Sequence, residues 1–170
     1  MTHLFKAIFI VGALGLSACT NPGQLAGNGT GAGNGAGANT AVDPASDPRS
    51  PAYFSQTIGD RVLFAVDTST LTPEGRATLT AQAGWLRDNP EYAAIIEGHA
   101  DEQGTREYNL ALGARRANAV SEFLISQNVS ASRLRTLTYG KERPLEVCSA
   151  EACYAKNRRA VTVISAGAGA

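Results

Sequence analysis

One run decides most of what this chain can become. Glu91-Tyr92-Ala93-Ala94-Ile95-Ile96-Glu97 is short, apolar and bounded by polar residues, and it reads as a strand. It feeds Gly98-His99-Ala100-Asp101-Glu102-Gln103-Gly104, a polar turn with glycine at both ends. From Thr105 to about Gln127 the apolar residues Leu110, Ala114, Ala117, Val120 and Leu124 recur at helical spacing. The fold must therefore bring a strand end, a tight turn and a helix N-terminus together, with an acid in the turn and the pair Arg115-Arg116 on the helix.

That juxtaposition is a candidate site. Asn109, Leu112 and Arg116 fall at i, i+3 and i+7 on a face other than the inner stripe, so they are predicted to point toward the turn. With Asp101 to take an amine and the Arg116 fork to take a planar carboxylate, the pair suits the head of an amino-acid zwitterion. The plainer alternative is that Asp101 and Arg116 pair with each other and pin the turn to the helix. His99 between Glu97 and Asp101 admits a metal reading, since strand alternation puts the three on one face, but the cluster is a common one without metal. Asp67 and Asp101 could be imagined as a glycosidase pair, yet nothing in the sequence argues for the raised pKa that such chemistry needs.

Around this centre the chain alternates elements. Arg61-Val62-Leu63-Phe64-Ala65-Val66 reads as a buried strand. Thr72-Pro73-Glu74 has the signature of a helix start: a hydroxyl cap, proline at the first position and an acid in the first turn. That helix carries Leu79, Ala83 and Leu86 on one stripe and stops at Asn89-Pro90. Residues 133–139 and 160–164 read as two further strands, with a short helix near Ala155. The order βαβαββ predicts an α+β two-layer sandwich, with helices packed on one face of a four-stranded sheet.

The ends carry different information. Lys6 precedes an apolar stretch at residues 7–16, too short to span a bilayer comfortably and placed as an export signal. It closes in Leu16-Ser17-Ala18-Cys19, so residues 1–18 are expected to be removed; an ordinary signal-peptidase site beside a cysteine is the alternative. Residues 19–52 are dominated by Gly, Ala, Asn, Thr, Ser and Pro and can bury no core, which predicts a disordered tether. About 30 such residues span roughly 30 Å on average and roughly 100 Å when taut. The domain is expected at residues 53–164, followed by a flexible tail at 165–170. Fifteen basic against fifteen acidic residues leave no net charge, so no basic field argues for nucleic acid. Cys148 and Cys153 remain as a pair in a compartment that permits disulfides, where a bond would contribute about 2 kcal/mol. Free thiols or a two-cysteine metal site are the rivals, and no histidine lies nearby in sequence.

The run at residues 97–120, with Tyr139-Gly140-Lys141-Glu142 and Ala155-Lys156-Asn157-Arg158-Arg159-Ala160-Val161, resembles the peptidoglycan-binding motif of OmpA-like domains. The stretch before Cys19 resembles a bacterial lipobox, which implies an acylated Cys19 and, with Thr20 after it, an outer-membrane address. Each buried acyl methylene is worth roughly 0.8 kcal/mol, so two or more chains anchor almost permanently. The resemblance implies a noncatalytic lipoprotein, without cofactor, that holds the diaminopimelate of the peptidoglycan stem peptide. Asp101 and Arg116 are the matching residues for that grip, joined by Asp67, Asn109, Leu112 and the backbone around Ala100 and Thr105. For lipoprotein members working in the Tol system it further implies TolB and TolA as partners, with a role in cell division. An OmpA-like lipoprotein outside that system and a peptidoglycan-processing enzyme are the other readings. Two features depart from the family: Phe64-Ala65-Val66-Asp67-Thr68 stands where Phe-Asp-Phe-Asp-Ser is usual, and the cysteine pair is additional, in a loop expected to lie away from the site.

Overall fold

In the computed structural model the described residues are 43–167. The signal, Cys19, nearly all of the tether and residues 168–170 lie outside them. A 3-10 turn at Pro44–Ser46 and a helical turn α1 (Pro51–Tyr53), which continues as a π-helix over Phe54–Gly59, precede the sheet. Then come β1 (Arg61–Leu63), α2 (Pro73–Asp88), β2 (Tyr92–His99), α3 (Arg106–Ser126), β3 (Leu134–Gly140), α4 (Glu151–Asn157) and β4 (Arg159–Ala166). The sheet order is β1-β4-β2-β3. β2 and β3 are parallel, with α3 as the crossover, while β4 runs antiparallel between β1 and β2. The architecture is the expected α+β sandwich. Among the described residues no helix is long and apolar enough to cross a membrane.

The helices start where their caps demand. Thr72 Oγ1 accepts from Gly75 N at 3.0 Å and Thr105 Oγ1 accepts from Tyr108 N at 3.2 Å, each satisfying a first-turn amide. Leu79, Ala83 and Leu86 are fully buried and meet Val120 and Leu124 of α3 and Ile96 of β2 in one core. The long helix reaches the sheet through glycine. A Cβ at Gly98 would overlap Gly113 O and lie 2.6 Å from its carbonyl carbon, so α3 packs on β2 backbone to backbone. Opposite this contact the register slips between Gly98 and His99, a bulge that turns the end of β2 into the polar turn.

Three boundaries differ from expectation. The buried strand predicted over 61–66 is only Arg61–Leu63, an edge strand with its first and last residues exposed; one further bond in the same register, Phe64 N to Arg158 O, follows before the chain leaves the sheet. β4 runs on to Ala166, paired with Tyr92, so Ser165 and Ala166 belong to the sheet and not to a tail. Packing also begins before Tyr53. The indole N–H of Trp85 donates to Pro48 O at 2.7 Å, and its ring lies 4.9 Å from Phe54 and 5.3 Å from Tyr92. The strap at 43–52 lacks apolar periodicity and holds by caps, the Trp85 indole and an Arg49–Glu91 ion pair, which is why its pattern reads as linker.

Candidate functional site

A cavity of about 260 Å³ opens where the loop after β1, the turn after β2 and the first turns of α3 converge. Its lining brings together Asp67, Asp101, Asn109 and Leu112 of the sequence-derived set, and adds Val66, Gln103, Gly104 and Tyr108. Asp67 has φ +51°, a left-handed conformation that aspartate tolerates better than most residues, and its carboxylate accepts from the Tyr108 hydroxyl. Val66, the departure from the usual aromatic, is exposed and contributes an aliphatic wall. Ala100 and Thr105 support the turn from behind: Ala100 N donates to Gly140 O at 2.8 Å, and Thr105 spends its hydroxyl as the cap of α3.

Arg116 is not the exposed fork that its spacing suggested. Its side chain is 0% exposed, and its guanidinium donates to Thr68 O at 2.8 Å, His99 O at 2.8 Å and Ala65 O at 3.2 Å. It lies 5.2 Å over the Phe64 ring. Nor does it pair with Asp101, so the simple internal ion pair is not formed. Asp101 Oδ2 instead meets Arg158 Nη1 at 3.1 Å, while Oδ1 caps the turn by accepting from Gln103 N at 3.2 Å. The three converging carbonyls take one bond from each nitrogen of the guanidinium, while Arg158 takes Asp101. Burial pulls the Arg116 pKa down to about 10, with Asp101 and Asp67 opposing the shift, so it stays charged at neutral pH as a cation near the two acids.

Asn109 is the most telling residue. Its side chain is 1% exposed, its amide Nδ2 donates to Gln103 O at 2.8 Å, and its Oδ1 has no partner. A buried acceptor left unpaired costs about 1–3 kcal/mol unless something enters to donate to it. Asp67 and Asp101 line the same cavity, so acceptors predominate over free donors among its side chains. The arrangement can hold a cation with several N–H groups, above all an alkylammonium.

Arg158, which the sequence shows only as part of a motif, has a role there too. It is buried, donates to Phe64 O at 3.3 Å, and bridges Asp101 to Glu151 of α4. The cysteine loop is likewise not remote from the site. Cys148 and Cys153 form a disulfide with Cα atoms 6.0 Å apart, and Tyr154 beside it donates its hydroxyl to Glu102 Oε1 at 2.8 Å.

His99 belongs to the wall behind the site. It is 2% exposed, 5.5 Å from Tyr139 ring to ring and 3.8 Å from Glu97, and neither ring nitrogen has a hydrogen-bond partner. Among the described residues no group of three or more His, Cys, Asp or Glu could hold a metal. Burial, then Arg159 and Arg143, lower its pKa from 6.5 to about 4. The folded state thus keeps His99 neutral while the unfolded chain protonates it, so stability is full above pH 6.5 and is lost as pH falls toward 4. The expected loss across that window is about 3 kcal/mol, read as a drop in the urea midpoint that His99→Gln flattens.

The chain matches the family model described as the OmpA family over residues 63–158. It is 54% identical over 125 residues to a protein of Mesorhizobium japonicum named peptidoglycan-associated lipoprotein, covering 74% of each chain. A protein of the same name from Legionella pneumophila is 47% identical over 97 residues, 57% of this chain and 55% of that one. Among solved structures, the peptidoglycan-associated lipoprotein from Burkholderia pseudomallei superimposes with a TM-score of 0.64 at 36% identity, over 72% of this chain and 100% of that one. The C-terminal domain of Helicobacter pylori MotB, at 19% identity and a TM-score of 0.59 over 62% of this chain and 84% of that one, shares the fold alone. The names of the lipoprotein relatives are not those of enzymes.

Proposed function

The chain belongs to the OmpA family, with relatives named peptidoglycan-associated lipoprotein, and from that premise we propose that its domain binds the stem peptide of peptidoglycan and ties the outer membrane to the wall. The anchor is lipid on Cys19, and the residues between it and the strap at 43–52 are the leash. The stem peptide enters through its diaminopimelate side chain. Its ammonium is taken by Asp67, Asp101 and the free Oδ1 of Asn109, with Leu112 and Val66 against its methylenes. Its carboxylate is favoured by the backbone amides of the turn and by the buried charge of Arg116. Action within the Tol-Pal system, with TolB and TolA as partners during cell division, is the part of this reading that rests on the relatives' names alone.

The observation that carries this reading is the unpartnered, buried Asn109 Oδ1 in a cavity that two carboxylates also line. Cosedimentation of the chain with purified sacculi tests it, using Asp67→Asn as the variant. Asparagine tolerates the left-handed φ at this exposed position and keeps an acceptor for Tyr108, so the fold survives while a charge is lost. Retention on sacculi is expected to fall about tenfold. Unchanged retention would remove Asp67 from the site, and soluble fragments released into the supernatant would contradict a binding role without cleavage.

A further inference from the structure

The disulfide sits at the start of the shortest α-helix after β1. α4 spans only Glu151–Asn157, and its N-cap, Ala150, offers no side-chain acceptor. A helix that short is marginal by itself. At its far end Asn157 fixes the entering chain, accepting from Leu145 N at 2.7 Å and Glu146 N at 3.0 Å and donating to Glu146 O at 2.8 Å. At its near end, the Cys148–Cys153 bond ties the preceding loop to the third residue of the helix.

What α4 then holds is the binding turn. Glu151, its first residue, clamps the Arg158 guanidinium, which in turn holds Asp101 at 3.1 Å. Tyr154 donates to Glu102 Oε1 at 2.8 Å, and Ser149, between the two cysteines, approaches the same oxygen at 3.5 Å. Both residues braced, Asp101 and Glu102, lie in the turn whose backbone carries Gln103 and Gly104 into the cavity. Lys141 completes the support by donating to Glu102 O at 3.3 Å and Gly104 O at 2.8 Å.

We propose that the disulfide-closed loop is a brace for the ligand site, with Glu151, Tyr154 and Arg158 as positioning residues that fix the Asp101 carboxylate and its turn. The proposal rests on the peptidoglycan-binding reading above. Opening the Cys148–Cys153 bond frees the start of α4, withdraws Glu151 from Arg158 and Tyr154 from Glu102, and leaves the turn to sample geometries that bind poorly. The core built around Trp85, Leu79 and Leu86 shares none of these contacts.

The test is calorimetric titration of the full chain in detergent with a diaminopimelate-containing muropeptide, before and after treatment with a dithiol reductant. The reductant gives two electrons and two protons to the bond, yielding two thiols and its own disulfide. The reduced chain is expected to bind about tenfold more weakly, and Cys148→Ser with Cys153→Ser to match that value with or without reductant. Tyr154→Phe, which keeps the ring and the disulfide, is expected to weaken binding about threefold with an unchanged unfolding midpoint by Trp85 fluorescence; a purely structural role would move the midpoint instead. Equal affinity of the oxidised and reduced chains overturns the brace alone. Absence of binding by the oxidised chain overturns the brace together with the reading beneath it.

Discussion

Arg116→Met is expected to lower the stability of the domain by about 4 kcal/mol and, by removing the positive charge behind the cavity, to weaken retention on sacculi as well. The guanidinium joins Ala65 and Thr68, on the loop after β1, to His99 at the end of β2, and methionine offers none of these donors. Hydrogen bonds from a charged donor are worth roughly 1.5–3 kcal/mol each, and carbonyls left buried without partners add to the cost. Against a total of about 5–15 kcal/mol, one such loss consumes much of the margin. Arg116→Lys keeps the charge but not the three-way fork, so an intermediate loss of about 2 kcal/mol is expected. Urea unfolding followed by the single tryptophan, Trp85, separates the variants. A stable Arg116→Met chain that merely fails to bind would instead return Arg116 to direct contact with the ligand.

Gly98→Ala is expected to be about as damaging, at roughly 3 kcal/mol or more, through excess volume and not through a lost bond. Its new methyl would overlap Gly113 O and stand 3.2 Å from Ala117 Cβ. Because the main obstacle is backbone, no rotamer change relieves it, and α3 must lift from β2. The reciprocal Gly113→Ala meets Thr138 Oγ1 and lies 2.8 Å from Gly98 O, so it is expected to destabilise as well. Lifting α3 also carries Asn109, Leu112 and Arg116 away from the turn, so binding and stability fall together. Thermal unfolding of the two single variants and their double checks the shared contact: the combined loss is expected to be well below the sum.

The parts of the fold legible in the sequence are those that local chemistry writes. Thr72-Pro73-Glu74 opens α2 because capping needs only neighbours three residues apart, and Leu79, Ala83 and Leu86 bury because a helix brings them to one side. The turn after β2 and the helix that follows were readable for the same reason. What escaped depends on distant partners. Gln82 looks like a surface residue in α2, yet it is fully buried between Gly59 O and the Thr162 hydroxyl, 80 residues away from it in the chain. Arg116 has the spacing of a residue aimed at the turn, but which carbonyls surround a guanidinium is decided by the loop after β1, whose irregular path no periodicity encodes. Arg158 was hidden by its pairing with Arg159; only the fold reveals that it bridges the turn and α4. Of the candidate set, the cavity gathers Asp67, Asp101, Asn109 and Leu112, with Ala100, Thr105 and Arg116 behind it.

Recognition in this reading turns on one interaction, an ammonium held by Asp67, Asp101 and Asn109 Oδ1. The most direct test is a calorimetric comparison of two stem peptides that differ only at the diaminopimelate side-chain amine, one free and one acetylated. Acetylation removes the charge and two of the three N–H donors while leaving the carboxylate in place. Binding of the free amine with a loss of about a hundredfold on acetylation is the expected result. Equal affinity for the two peptides would contradict the account, because the acceptor cluster would then have no part in recognition.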